Sequence, residues 1–196
     1  FTKINEGHKA ANIKAIFDDT QCLHCGQPKP INPGSAPGYD WDYMNAEIII
    51  RDMQVLDGKL VLPSGMSYRV MMLPDKEDIS LEVLQKLEQL VNDGAIILGR
   101  KPLRTTSLKN YPECDAEVIS ISQKLWGDCD GTTILSNSYG KGKVYWGLTL
   151  EEVLQELNIP RDFEVQGIDN CDMHIDYIHR ATAVSYTHLT LPTIYS

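Results

Sequence analysis

A strand–helix–strand pattern near the middle of the chain constrains the fold more than any other feature of the sequence. Residues 68–73 are largely apolar and stop at Pro74, which is typical of a strand buried on both faces. Ser80 then stands where a helix N-cap would, and Gly94 where a helix would end. The apolar residues between them recur at helical spacing: Val83, Leu84, Leu87, Leu90 and Val91. With a second apolar run at 95–98, the pattern predicts a right-handed βαβ unit with parallel strands.

The alternation of strands and helices continues on both sides of this unit. Residues 54–56 and 59–62 flank Asp57-Gly58, a strong signal for a β-hairpin. Thr149, with Glu152 three residues later, forms a capping box and predicts a further helix. The remaining predictions are a helix over 41–52 with Met44, Ile48 and Ile49 on its apolar side, a helix over 115–126 presenting Val118, Ile119, Ile121 and Leu125, and strands over 132–135 and 142–146. Together they predict the α/β class, as a layered α/β/α domain with a mostly parallel sheet.

These elements define a predicted domain over residues 38–165. Residues 1–37 precede it and hold a short apolar run at 13–17 and a proline-rich loop. Residues 166–183 include an extended stretch that is typical of the start of a following β-domain. Residues 184–196 resemble the translation of an adapter used in building sequencing libraries, so we expect a non-native tail there. A native threonine-rich strand is the alternative.

The charge and hydropathy of the chain exclude two classes of partner. The composition is that of a globular protein, with 42% hydrophobic and 23% charged residues. The net charge of -9 argues against nucleic acid and against an anionic membrane surface, because both would repel the chain. No apolar stretch approaches the roughly 20 residues that a membrane-spanning helix needs.

Two cysteine motifs fail the contextual tests for chemistry. Cys22 and Cys25 form a C-x-x-C motif, but no second such pair follows to complete a zinc site. Cys129 lies in a G-x-C-x-G motif, but a nucleophile elbow needs a strand before it and a helix after it, and here the predicted order is reversed. Residues 138–143 are glycine-rich and lead into a strand, so they predict a turn and not a phosphate-binding loop. We therefore expect no metal, redox or phosphate site in these segments.

The remaining polar cluster interleaves aromatic rings with carboxylates and an amide. Its members are Tyr39, Asp40, Trp41, Asp42, Asn45 and Glu47. Such a mixture suits sugar recognition, in which rings stack on the apolar faces of the sugar and carboxylates bind its hydroxyls. The same residues also suit the start of a helix, with a capping aspartate and aromatic packing. The residues themselves leave both interpretations open.

Several segments, taken in order, resemble glycoside hydrolase family 106, the α-L-rhamnosidases. They are GYDWDYMNAE (38–47), DGKLVLPSGMSYRVMMLP (57–74), DGAIILGRKP (93–102), YPECDAEV (111–118), YGKGKVYWG (139–147) and IHR (178–180). The resemblance covers most of residues 38–180. It implies an internal fragment of a large bacterial enzyme, usually secreted or periplasmic, that removes α-L-rhamnose from plant glycans or glycosides.

The resemblance also implies that catalysis belongs to a different part of the parent enzyme. The chemistry is inverting and uses two carboxylates, calcium is associated with activity, and the catalytic barrel lies mainly N-terminal to this region. The fragment is then an accessory α/β domain, similar to the glutamine amidotransferase-like or flavodoxin-like domains of other glycosidases. We expect it to have no cofactor or metal of its own and to be inactive alone. Its substrate-binding residues would be Tyr39, Asp40, Trp41, Asp42 and Asn45, and Glu47 is the one candidate within these motifs for a catalytic carboxylate. The alternatives are a purely structural or oligomerisation domain and a free-standing flavodoxin-like binding domain.

Overall fold

The computed structural model describes residues 2–5, 36, 38–162, 178–181 and 187–190, and the short strands at 2–5, 178–181 and 187–190 are described by their backbone alone. The helices are α1 (Ala46–Asp52), α2 (Leu81–Asp93), α3 (Glu113–Trp126) and α4 (Leu150–Glu156). The strands are β1 (Thr2–Asn5), β2 (Asp42–Asn45), β3 (Gln54–Leu56), β4 (Lys59–Val61), β5 (Ser67–Tyr68), β6 (Met71–Met72), β7 (Asp78–Ile79), β8 (Ile96–Leu98), β9 (Arg104–Thr105), β10 (Ser136–Tyr139), β11 (Gly142–Tyr145), β12 (Ile178–Ala181) and β13 (Thr187–Thr190). The chain is thus a mixed α/β protein, as the sequence predicts.

A six-stranded sheet organises the fold, with the strand order β10-β11-β8-β6-β1-β2. All its pairings are parallel except the β10–β11 hairpin. Strand β1 lies between β2 and β6, so residues that precede the predicted domain supply an interior strand of the sheet. Within the described ranges three smaller sheets accompany it: β3-β4-β5, β7-β9 and β12-β13. The segments at 6–35 and 163–177, which include the predicted strand at 13–17, lie outside the described residues.

The predicted βαβ unit is present as β6, α2 and β8. The two strands are parallel neighbours, with Met71 opposite Ile97. The hydroxyl of Ser80 accepts a hydrogen bond from the amide of Val83 (3.3 Å), and Gly94 ends the helix with a φ of 125°, where a side chain would be strained. The first strand is shorter than predicted, because β5 turns away from the sheet before β6 begins.

Apolar side chains pack against both faces of the sheet. Ile97 is buried on one face in a cluster with side chains of α1, α2 and α3, and Leu98 is buried on the other in a cluster with α4. This follows from the alternation of side chains along a strand, which sends neighbours to opposite faces. Burial of each large apolar side chain contributes about 1.5–3 kcal/mol, so the two clusters are the main source of stability.

The predicted hairpin and capping box are confirmed. Strands β3 and β4 pair antiparallel around Asp57-Gly58, and both central residues have positive φ. The hydroxyl of Thr149 accepts from the amide of Glu152, whose carboxylate accepts from the amide of Thr149 (2.7 Å). Over the described ranges, the structure contains no helix that could cross a membrane.

The predicted helix over 41–52 is wrong in its first part. Residues 42–45 form β2, which pairs with β1, and the helix begins only at Ala46. Two aromatic residues near the start of this stretch, Trp41 and Tyr43, favour a strand, and the neighbouring β1 supplies its backbone partners. Asn45 then starts the helix, since its side-chain oxygen accepts from the amide of Ile48 (2.9 Å).

Two further predictions are corrected after α3. Residues 132–135 are not a strand, because the carboxylate of Asp130 binds their amides: Thr132 (2.8 Å), Thr133 (2.8 Å) and Ile134 (3.0 Å). These bonds hold a turn, and β10 begins only at Ser136. Ile119, which the spacing assigns to the core, is exposed on α3.

Candidate functional site

Strand β2 separates the predicted polar cluster onto two faces of the sheet. Trp41 and Tyr43 lie on one side, with their ring centroids 4.8 Å apart at an interplanar angle of 82°. Asp42 and Met44 point to the other side, where Met44 is buried among the side chains of the larger cluster. The sequence therefore places aromatic rings and carboxylates next to each other along the chain, but the pleat of the strand directs them apart.

The cluster is also divided along the strand. Asp40 and Trp41 precede the amino end of β2, whereas Asn45 ends the strand and Glu47 lies in the first turn of α1. A strand rises about 3.3 Å per residue, so the two groups are roughly 10 Å or more apart. Ligand sites in open parallel sheets form at the carboxyl ends of the strands, and of these four residues Asn45 and Glu47 lie there.

Tyr39 connects the start of this segment to the stretch that follows α4. Its hydroxyl donates a hydrogen bond to the carbonyl of Ile159 (2.7 Å). The amide of Asp162 donates to the carbonyl of Gly38 (2.8 Å), which forms a second bond between the same two stretches. The carboxylate of the exposed Asp40 accepts a bond from the amide of Trp41 (2.8 Å). Tyr39 thus holds the backbone that presents Asp40 and Trp41 at the surface.

Asp42 has a buried partner that sequence reasoning did not identify. Its carboxylate accepts a hydrogen bond from the hydroxyl of Tyr68 (2.8 Å) on β5. Burial raises the pKa of Tyr68 well above 10.0, and the carboxylate of Asp42 raises it further by disfavouring a tyrosinate. The only signal in the sequence is a tyrosine within an apolar run, which does not indicate its partner. The pair combines an exposed carboxylate with a fixed orientation, a suitable arrangement for binding a hydroxyl group.

Asn45 and Glu47 take the positions expected at the start of a helix. Asn45 is the N-cap of α1, and Glu47 lies near the positive end of the helix dipole. The carboxylate of Glu47 forms an ion pair with Arg51 (2.8 Å), one turn along, and its side chain is 73% exposed. General acids in glycosidases are usually held protonated by burial. The surroundings of Glu47 are those of a surface ion pair.

Cys129 lies in the turn that closes α3. Its amide donates to the carbonyl of Trp126 (2.9 Å), and its side chain is buried. Burial raises the pKa of the thiol, Asp130 and Asp128 also raise it, and Lys101 lowers it. A protonated thiol is a weak nucleophile, so the geometry agrees with the interpretation of this motif as a turn.

No group of three or more histidine, cysteine or acidic side chains in the described part of the chain is arranged to hold a metal ion. Cys22 and Cys25 lie outside that part. The carboxylates of the polar cluster are bound separately, since Asp42 contacts Tyr68 and Glu47 contacts Arg51. The cluster therefore offers hydroxyl-binding groups at the surface, and Asp40 lies close enough to Tyr68 that its charge, like that of Asp42, raises the pKa of the tyrosine.

Comparison with known proteins identifies the family. The model of glycoside hydrolase family 106, described as alpha-L-rhamnosidase, matches residues 4–187. A protein of Formosa agariphila, provisionally named a beta-glucuronidase, is 37% identical over 145 residues, which are 74% of this chain and 11% of that protein. The structure of a rhamnosidase from Novosphingobium sp. PP1Y matches with a TM-score of 0.73 and 24% identity over 93% of this chain and 16% of its own, which shows a shared fold. Because the family model matches almost the whole sequence, the chain belongs to glycoside hydrolase family 106, the alpha-L-rhamnosidases.

Proposed function

We propose that this chain is an accessory domain of a bacterial α-L-rhamnosidase, built as an α/β/α layered unit of the flavodoxin-like or glutamine amidotransferase-like kind. The observation that supports this most is the family match over residues 4–187 in a chain that spans only 11–16% of the length of two similar proteins. Apolar clusters on both faces of a mainly parallel sheet agree with a layered unit. The parent would remove α-L-rhamnose from plant glycans or glycosides.

The catalytic carboxylates would be supplied by another part of the parent. An inverting glycosidase needs two carboxyl groups about 6.5–9.5 Å apart, one to protonate the leaving oxygen and one to activate water. Asp42 is occupied by Tyr68, and Glu47 lies in a surface ion pair with Arg51. These contacts support a binding role for the chain and a catalytic barrel elsewhere. Any calcium would then belong to that other part of the parent.

The surface at the amino end of β2, away from the edge where a parallel sheet usually binds its own ligand, would line the wall of a sugar pocket shared with the rest of the parent. The half-buried Trp41 offers a ring for the apolar face of a sugar. Asp40, and Asp42 on the opposite face of the strand from Trp41, offer carboxylate oxygens for its hydroxyls, so the pocket would extend around the end of the strand. Tyr39 would support this surface through its bond to Ile159, and Asn45 would support it from the other end of the strand. The substrate would be a rhamnose-containing oligosaccharide or glycoside.

Kinetics of an intact family member carrying this domain test the binding role. We expect Asp40→Asn and Asp42→Asn to lower kcat/KM for an aryl rhamnoside by about tenfold or more, since a hydrogen bond to a charged group is worth about 1.5–3 kcal/mol. Asp75→Asn, an exposed aspartate in the loop after β6, is the matched control and should leave kcat/KM unchanged. Thermal unfolding would verify that each variant is folded. Wild-type kinetics in both variants would reject the sugar-facing role.

A purely structural domain is the second candidate, and one observation favours it. Tyr39, Asp42, Asn45 and Glu47 each form a hydrogen bond or ion pair inside the chain. If these bonds are their whole purpose, the asparagine variants should change the stability or the oligomeric size of the parent while its KM stays constant. Light scattering alongside the kinetics separates the two candidates.

A further inference from the structure

The segment between β8 and α3 differs in charge from the rest of the protein. Residues 99–112, here called the strap, carry four basic residues and no acidic one, within a chain whose net charge is -9. The strap also exposes large apolar side chains, and α3 adds one beside it. These four residues, here called the apolar strip, are Leu103 (48% exposed), Leu108 (85%), Tyr111 (63%) and Ile119 (53%).

Two contacts fix the strap along one side of α3. The ammonium group of Lys101 donates to the side chain of Gln123 (2.7 Å), and the amide of Thr105 donates to the carboxylate of Asp115 (2.8 Å). Asp115, Ile119 and Gln123 are four residues apart, so they share one stripe of the helix. Leu103 lies between Lys101 and Thr105 in the strap, and the middle residue of the stripe, Ile119, is exposed like Leu103.

Further hydrogen bonds, within the strap and to residues outside it, also hold the strap in place. The amide of Leu103 donates to the carbonyl of Glu77 (2.7 Å), and the amide of Tyr111 donates to the carbonyl of Leu108 (3.3 Å). The thiol of Cys114 lies 3.8 Å from the carbonyl of Ser107. Apolar side chains that stay exposed on an ordered surface forgo about 25 cal/mol of stabilising free energy for every Å² that burial would remove from water. Contiguous exposed apolar surface on a folded protein often marks a site of contact with another surface.

We propose that the apolar strip is the surface on which the rest of the parent polypeptide packs, a proposal that rests on the accessory-domain function. Its occupant is a surface of the same chain that presents apolar side chains flanked by carboxylates. Carboxylates on the partner surface would complement the basic residues of the strap. Arg104 and Lys109 are exposed, and neither forms an ion pair with another described residue.

Covalent connection favours this occupant over a separate protein. This chain spans 16% of the rhamnosidase whose fold it shares, and in a parent of the proposed kind the rest of the polypeptide would be tethered to it. A tethered partner acts at an effective concentration in the millimolar range, which a free protein seldom reaches. Interfaces between domains of one chain are also more polar than permanent interfaces between subunits, as the mixture of basic and apolar residues here would require.

Site-specific photo-crosslinking in an intact family member tests the packing. A photoreactive amino acid replaces Leu108, and another replaces Leu56 as the control, because Leu56 is equally apolar and 62% exposed on the β3–β4 hairpin. Mass spectrometry should find the Leu108 probe joined to peptides of the same polypeptide outside the present sequence, and the Leu56 probe unlinked. A link to a second copy, or no link at all from position 108, would overturn the proposal.

Charge reversal supplies a second, independent measurement. Both Arg104→Glu and Lys109→Glu change exposed side chains, so the domain should keep its thermal unfolding temperature. The yield of the Leu108 crosslink should fall about tenfold in the double variant. An unchanged yield would contradict an acidic occupant. Turnover of an aryl rhamnoside is measured on the same samples. If the parent crosslinks as expected but does not hydrolyse the rhamnoside, the accessory-domain function is rejected and the proposed packing surface still stands.

Discussion

Two buried tyrosine hydroxyls near β2 differ in one respect that can be measured. Tyr68 donates to the carboxylate of Asp42 at 2.8 Å. The hydroxyl of Tyr43 is also buried, but among the described residues it has no hydrogen-bond partner. A buried polar group without a partner costs free energy, whereas a satisfied one contributes.

Removing the hydroxyl of Tyr68 should therefore destabilise the chain. We expect Tyr68→Phe to lower the free energy of unfolding by about 1 kcal/mol, because the exposed Asp42 can regain water as a partner. Tyr43→Phe is the matched control and should cost nothing or raise the stability slightly. Urea unfolding followed by circular dichroism measures both. Equal losses in the two variants would show that the bond from Tyr68 to Asp42 contributes no stability.

The buried tyrosines also determine how stability changes in alkali. Burial raises the pKa values of Tyr68, Tyr43 and Tyr145 in the folded chain above the ordinary value of 10.0. A group whose folded pKa is raised contributes stability that is complete below its unfolded pKa and is lost as the pH rises towards the folded value. The unfolding temperature should thus fall above about pH 10. Tyr68→Phe should flatten this decline, and an identical decline in the variant would contradict the assignment.

At the level of elements, the turn at Asp130 provides a similar test in acid. Bonds from the hydroxyl of Thr133 and from the amides of residues 132–134 hold the pKa of Asp130 well below 3.8. A depressed folded pKa contributes stability that is present above the unfolded pKa and is lost as the pH falls below it. Asp130→Asn should accordingly be less stable than the wild type at neutral pH, and the difference should shrink below about pH 4. A difference that is constant with pH would mean that the carboxylate charge is unimportant to the turn.

Structural elements that depend on residues close together in the sequence could be predicted from it. The caps at Ser80, Gly94 and Thr149 and the Asp57-Gly58 turn depend on residues within four positions of one another, and all are confirmed. The stretch over 42–45 could not be predicted in this way, because its strand depends on pairing with β1, about 40 residues earlier in the sequence. Pairing over such a distance leaves no periodicity to detect.

The candidate site was less predictable than the fold for a related reason. Sequence proximity suggested that Tyr39, Asp40, Trp41, Asp42 and Asn45 would act together. The pleat of β2 instead sends Trp41 and Asp42 to opposite faces of the sheet. The partner of Asp42 is Tyr68, 26 residues away, and the partner of Tyr39 is Ile159, 120 residues away. Such contacts follow from the tertiary fold and not from a motif.

For the whole molecule, the structure describes a mixed α/β unit in which distant parts of the chain meet. Strand β1 lies inside the sheet, and the bonds at Gly38 and Tyr39 join the stretch before β2 to the stretch after α4. These bonds close the described unit between the start of β2 and the stretch after α4. The accessory-domain proposal requires this unit to fold without carrying out the reaction.

Hydrolysis of an aryl rhamnoside by the purified chain tests that claim most directly. Circular dichroism and a cooperative thermal transition would first show that the chain is folded, and an intact family member assayed in parallel would show that the assay detects turnover. We predict hydrolysis by the intact enzyme and none by this chain, because Asp42 is bound to Tyr68 and Glu47 lies in a surface ion pair with Arg51. Turnover by the chain alone, abolished by Glu47→Gln, would contradict the account and place the chemistry at the start of α1.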